Sequence, residues 1–164
     1  MNKKQNFFYF LIVFGLAFFL TGCGNRDVKQ QHKIISISTG SDIIINPSEI
    51  TDQATFYNYE DDGVIIQLFA VKATDGTIRV VFNTCGACNP SPDSYFIQIG
   101  DYFECQNCKN KFHRDEIGLQ KSYGCSPIAI LDQEKEFVDG NILIKSDFIK
   151  SYLNKFQSIN HFKG

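Results

Sequence analysis

The chain has 164 residues, 43% of them hydrophobic, and 16 basic against 18 acidic side chains leave a formal charge of −2. This length suits one domain that buries its own core, and the lack of a basic block excludes nucleic acid as a charge-driven partner. No Gly-x-Ser-x-Gly, His-x-x-x-His or phosphate-cradling loop occurs, so hydrolysis has no support and no catalytic residue is assigned.

Lys3 and Lys4 precede an almost continuous apolar run, Phe7 to Leu20, that closes on Leu20-Thr21-Gly22-Cys23. A basic start, an apolar stretch short for a membrane span and small residues at its end read as a secretory signal. The ending resembles the bacterial lipobox, so residues 1–22 are expected to be removed and Cys23 lipidated, holding the chain at the extracytoplasmic side of the cell membrane. A plain signal with unmodified Cys23 and an uncleaved anchor helix are the alternatives, and all three place the remainder outside the cytoplasmic membrane. Cleavage takes away two lysines and no acid, moving the formal charge from −2 to −4. Residues 23–31 are polar and read as a tether; residues 32–164 read as a single metal-binding domain.

His32 to Ser38, with Ile34, Ile35 and Ile37 set among serines, and the isoleucine run within Asp42 to Asn46 predict two short strands paired through Thr39-Gly40-Ser41. Ala54 to Glu60, Val64 to Lys72 and Thr77 to Phe82, separated by Asp61-Asp62-Gly63 and by Asp75-Gly76, predict an antiparallel meander ending at the first cysteine pair. Pro90 and Pro92 break regular structure. Tyr95 to Ile99 and Tyr102 to Glu104, joined at Gly100-Asp101, form a second hairpin. Residues 110–118 read as a short turn or helix, followed by Tyr123-Gly124-Cys125-Ser126-Pro127 and a strand at Ile128 to Leu131. Asn141 to Ile144 is a last strand. Ser146 is a candidate cap for a helix to Gln157 with Phe148, Ile149, Tyr152, Leu153 and Phe156 on its apolar face. The fold class is therefore mainly β with a minor helical part: an antiparallel meander, Cys-x-x-Cys knuckles of zinc-ribbon or rubredoxin type, and a C-terminal helix.

Five cysteines follow the leader as Cys85-x2-Cys88-x16-Cys105-x2-Cys108-x16-Cys125. Two short pairs on an arm long enough for a hairpin allow four thiolates to converge, as a tetrahedral metal or a small iron-sulfur cluster requires. A disulfide framework is the competing reading for an exported chain, but five cysteines cannot pair completely, and a Cys-x-x-Cys pair closed on itself constrains the unfolded chain little. Cys125 is either a small buried residue or a further ligand, one able to exchange when redox state changes. His113 is the other soft donor near the cluster, and Asp93, Glu104, Asp115 and Glu116 offer oxygens, although such loop carboxylates are usually just solvated.

The series ATFYNYEDDGVIIQLFAVKATDGTIRVVFNTCGAC, then GDYFECQNCKNKF, then IG and GCSPIAI resembles the membrane iron-sulfur-containing, FtrD-like family. The resemblance covers Ala54 to Ile130 and includes all five cysteines in order. It implies an iron-sulfur cluster or iron as cofactor, with zinc as the alternative. It also implies an association with FTR-type iron permeases, a part in iron uptake with electron transfer accompanying it, and Cys85, Cys88, Cys105, Cys108 and Cys125 as the family cysteines. One departure is Ser126, where the family commonly has Asn in Gly-Cys-Asn-Pro. Three functions follow: a surface-tethered metal or iron-sulfur lipoprotein serving iron acquisition; a zinc-ribbon-like structural or interaction domain; and a thiol-disulfide oxidoreductase. The last fits least, because both pairs follow strands, whereas reactive Cys-x-x-Cys motifs usually sit at a helix N-terminus.

Overall fold

β-Branched and aromatic residues recur with a period of two, and such runs form strands. The computed structural model describes residues 32–120 and 124–163. Its strands are β1 (Lys33–Ile37), β2 (Ile43–Ile45), β3 (Thr55–Asp61), β4 (Val64–Lys72), β5 (Ile78–Cys85), β6 (Phe96–Ile99), β7 (Tyr102–Cys105), β8 (Lys111–His113), β9 (Pro127–Ala129), β10 (Glu136–Val138) and β11 (Asn141–Ile144). One α-helix, α1 (Ser146–Lys150), follows them. The leader, Cys23, the tether and Tyr123 lie outside the described residues.

The meander is present as expected. β3, β4 and β5 pair antiparallel, and Asp62 and Gly63 at φ 49° and 70° supply the left-handed pair that a tight hairpin needs. They form the middle of a five-stranded sheet of order β1-β3-β4-β5-β9. Ile66 through Val71 of β4 are all buried, which happens when both faces of a sheet are covered. On one face Tyr57, Tyr59, Leu68 and Phe82 pack with Ile43, Ile45, Ile142 and Ile144 of the three-stranded sheet β10-β11-β2. On the other, Phe56, Phe69, Val71 and Val81 pack with Phe96 and Phe103 of the sheet β6-β7-β8. Phe69 and Phe103 stack across that second interface with ring centroids 4.5 Å apart.

Several local expectations give way to long-range pairing. β1 and β2 do not pair with each other. β1 runs parallel to β3, and β2 crosses to the outer sheet and pairs with β11. The turn at 39–41 sends the chain across layers because the Gly40 N–H donates to the Tyr59 hydroxyl at 2.8 Å and the Thr39 hydroxyl donates to the Glu60 carbonyl. Residues 111–113, expected in a turn or helix, are β8, the third strand of the cysteine-side sheet. The expected helix to Gln157 ends at Lys150 and continues through a 3₁₀ turn at Leu153–Lys155. Through this change of helix type Phe148, Tyr152 and Phe156 all meet one ring, that of Phe82, at 5.8, 4.1 and 6.1 Å. Ser146 is not the cap: its N–H donates instead to Asp42 Oδ1 at 2.8 Å, from a segment more than a hundred residues earlier.

Candidate metal centre

The first pair leaves the end of β5. Cys85 occupies its last position and is fully buried, while Cys88 sits in the following turn, where the Asn89 N–H donates to the Cys85 carbonyl at 3.0 Å. The second pair leaves the end of β7 in the same way: Cys105 is buried, Cys108 is partly exposed, and the Lys109 N–H donates to the Cys105 carbonyl at 2.9 Å. Lys109 adopts φ 62°, the left-handed conformation that costs an L-residue about 1–2 kcal/mol. The tight turns aim backbone N–H groups at sulfur. Cys85 accepts from the N–H groups of Cys88 and Ala87, Cys105 from those of Cys108 and Asn107, and Cys108 from that of Asn110. Such hydrogen bonds stabilise thiolates and orient them as ligands.

Two buried carboxamides hold the hairpin carrying the second knuckle over the first. Asn83, two residues before Cys85, accepts from the Phe96 N–H at 2.8 Å and donates to the Phe96 carbonyl at 3.2 Å. Phe96 in turn stands opposite Cys105 in the β6–β7 ladder. Gln98 accepts from the Ala54 N–H at 2.7 Å and donates to the Asp52 and Gly100 carbonyls at 2.7 and 2.9 Å. The sulfurs of Cys85, Cys88, Cys105 and Cys108 consequently lie within 4.8 Å of one another, with Cys88 and Cys105 3.9 Å apart. None of the five thiols is in a disulfide.

Residues 50–156 match the family model described as membrane iron-sulfur containing protein FtrD-like. The chain belongs to that family. Comparison with curated proteins and with solved structures gives no match. The matched residues of this FtrD-like chain hold every strand from β3 to β11 and all five cysteines of the domain.

Cys125 is carried beside the first knuckle by a strap. The Gly86 N–H donates to the Ser126 carbonyl and the Ala87 N–H to the Gly124 carbonyl, both at 3.1 Å. Its thiol reaches those of Cys108 and Cys85 but lies outside the group of four. Protonation follows position. Burial pushes the Cys85 thiol far up and Cys105 up to about 11, against the pull of their knuckle N–H groups. Cys125 is raised, first by its hydrogen bond with Cys108. Cys108 is lowered, because the Asn110 N–H and the neighbouring thiols outweigh its burial. Four converging thiolates in this setting need a cation, since uncompensated buried charge is unfavourable.

The donor set suits a soft metal. Four thiolates about 2.3 Å from one tetrahedral ion stand about 3.8 Å apart, which the Cys88–Cys105 distance of 3.9 Å matches and the 4.8 Å bound on all four approaches. A multinuclear cluster puts several irons between the sulfurs and asks for wider separation.

His113 lies at the other end of the small sheet, opposite Tyr102, with Nδ1 3.3 Å from Asp115 and its N–H donating to Glu116. Asp115 accepts from the Thr74 N–H and hydroxyl, and Glu104 pairs with Lys111. Among the described residues the metal-ligating group is cysteine alone. Sequence reasoning passed over Asn83 and Gln98. A polar residue interrupting an apolar strand, as in Val-Val-Phe-Asn and Phe-Ile-Gln-Ile, was the available signal, since a carboxamide at a core position needs partners.

Proposed function

We propose that Cys85, Cys88, Cys105 and Cys108 hold iron in an iron-sulfur centre, with a single iron bound by four thiolates as the form the spacing favours, and that the protein is a redox or metal-handling accessory of membrane iron uptake. The observation that carries this reading is the convergence of four sulfurs within 4.8 Å at the ends of two strands. When bound, iron supplies a one-electron couple. The chain's part is to supply charge, shape and a hydrogen-bonded shell. Cys85 and Cys105 fix the buried side, and Cys88 and Cys108 bring the centre toward the surface. Cys125 stands beside them as a fifth donor.

Membership of a family described as membrane proteins supports a membrane location. No helix among the described residues is long and apolar enough to cross a membrane. We propose the lipid on Cys23 as the anchor, residues 23–31 as the tether and residues 32–164 as the domain held outside the cytoplasmic membrane. The partner is a component of iron uptake, an FTR-type permease among them, as the family resemblance implies.

Element analysis and visible absorption of oxygen-free protein test the centre. Iron near one atom per chain, with thiolate-to-iron charge-transfer bands lost in Cys105→Ala, is the expected result. Colourless protein carrying one zinc replaces this reading with the structural zinc-ribbon one. Protein with no metal and every pair oxidised ends both.

A further inference from the structure

A cavity of about 240 Å³ opens between the start of β1 and the chain's last turns, and it has no part in the sulfur group. Its floor is a chain of carboxamides with a direction. The Phe96 N–H donates to Asn83 Oδ1, Asn83 Nδ2 donates to Gln67 Oε1 at 2.6 Å, and Gln67 Nε2 donates to Asn58 Oδ1 at 2.6 Å. The chain thus ends on the Asn58 amide nitrogen, a donor at the cavity wall. Asn83 and Gln67 are 1% and 5% exposed, so this row is built into the core. His32 lines the same cavity; its ring meets Phe56 edge-on at 5.2 Å and its Nδ1 is buried without a hydrogen-bond partner. Burial lowers the His32 pKa and keeps the ring neutral. Two further rings of the lining are stacked: His161 lies on Tyr95 at 4.1 Å and 7° between planes, with Phe162 edge-on to both.

No Asp, Glu, Lys or Arg lines the space, so an ionic ligand would lose its hydration without compensation. A flat aromatic body fits the walls. Two polar atoms, the Asn58 amide nitrogen at the end of the row and the His32 Nδ1 that is buried without a partner, can each meet an oxygen on the ligand's edge, and a buried polar group left unmet is unfavourable. Phe96 lines the cavity and also belongs to the packed cluster containing Cys85 and Cys105. Asn83 is two residues, about 7 Å of strand, from Cys85. We propose that this cavity is a binding site for a neutral one- or two-ring quinone, seated by the Asn58 and His32 side chains next to the four-sulfur centre. Binding does not depend on which metal those sulfurs hold.

Duroquinone, which carries no ring hydrogen for thiols to displace, is the probe, and durene, the same shape without oxygens, is its control. In equilibrium dialysis against the full chain, duroquinone is expected to bind saturably at one site and durene at least tenfold more weakly. Asn58→Leu is expected to weaken duroquinone at least tenfold and leave durene unchanged. His161→Ala, outside the sheets and verified as folded by circular dichroism, is expected to weaken both. Equal binding of the two probes, no saturable binding, or binding unaffected by either variant overturns the proposal. Iron content and colour, measured on the same samples, report separately on the metal centre.

Discussion

Asn83→Ala tests whether the two knuckles are held together by the carboxamide clamp. The side chain is 1% exposed and makes three hydrogen bonds, two with the Phe96 backbone and one with Gln67. Each contributes about 0.5–1.5 kcal/mol net, and the Phe96 N–H and carbonyl left unpaired in the core add about 1–3 kcal/mol. A loss of about 3–6 kcal/mol is therefore expected, from a total that for domains of this size is about 5–15 kcal/mol. Because Phe96 stands opposite Cys105, the second knuckle also loses its register against the first, and metal affinity should fall at least tenfold. Urea unfolding of metal-free protein, followed by circular dichroism, gives the first number, and competition with a metal-indicator dye gives the second. Gln98→Ala removes three bonds of similar length, but toward the hairpin tip, so it should cost comparable stability with a smaller loss of affinity. A cost for Asn83→Ala below about 1 kcal/mol, or an unchanged metal affinity, would refute the clamp.

Phe103→Ala removes the ring stacked on Phe69 between two sheets and should cost about 3–5 kcal/mol; a cost under 1 kcal/mol by chemical denaturation contradicts the three-layer packing. In metal-free protein at neutral pH, iodoacetamide should modify Cys108 before Cys85, because one thiol is lowered and partly exposed and the other is raised and buried; peptide mass mapping that finds Cys85 first rules out the arrangement. Asp42 lies below its ordinary value of 3.8 because it accepts from the Ser146 N–H and pairs with Lys145. A carboxylate depressed on folding stabilises fully above its unfolded pKa, and the contribution is lost as pH falls through the lower folded pKa. Asp42→Ala should therefore cost about 1 kcal/mol at pH 7 and progressively less below about pH 4, as read from thermal melts across pH; a pH-independent difference argues against the cap.

What the amino-acid order by itself determined was local. Alternation in β3, turn residues such as Asp62-Gly63, and the two Cys-x-x-Cys pairs each act over a few residues. The meander, the second hairpin and the knuckles at the strand ends were legible for that reason. The Asp139-Gly140 turn, with φ 50° and 77°, marked a hairpin as clearly as Asp62-Gly63. Its first strand, β10, was still missed, because all three of its residues are exposed and carry no burial pattern. Only the tertiary structure decided which edge β1 and β2 would join, where α1 would stop, which distant carboxylate would cap it, and where Cys125 would lie. In each case the partner is remote in sequence, and the choice belongs to whichever contact leaves the fewest backbone groups unpaired and the most apolar surface covered. The four sulfurs follow the same logic: their spacing made a common centre possible, and Asn83 and Gln98 brought the two halves together.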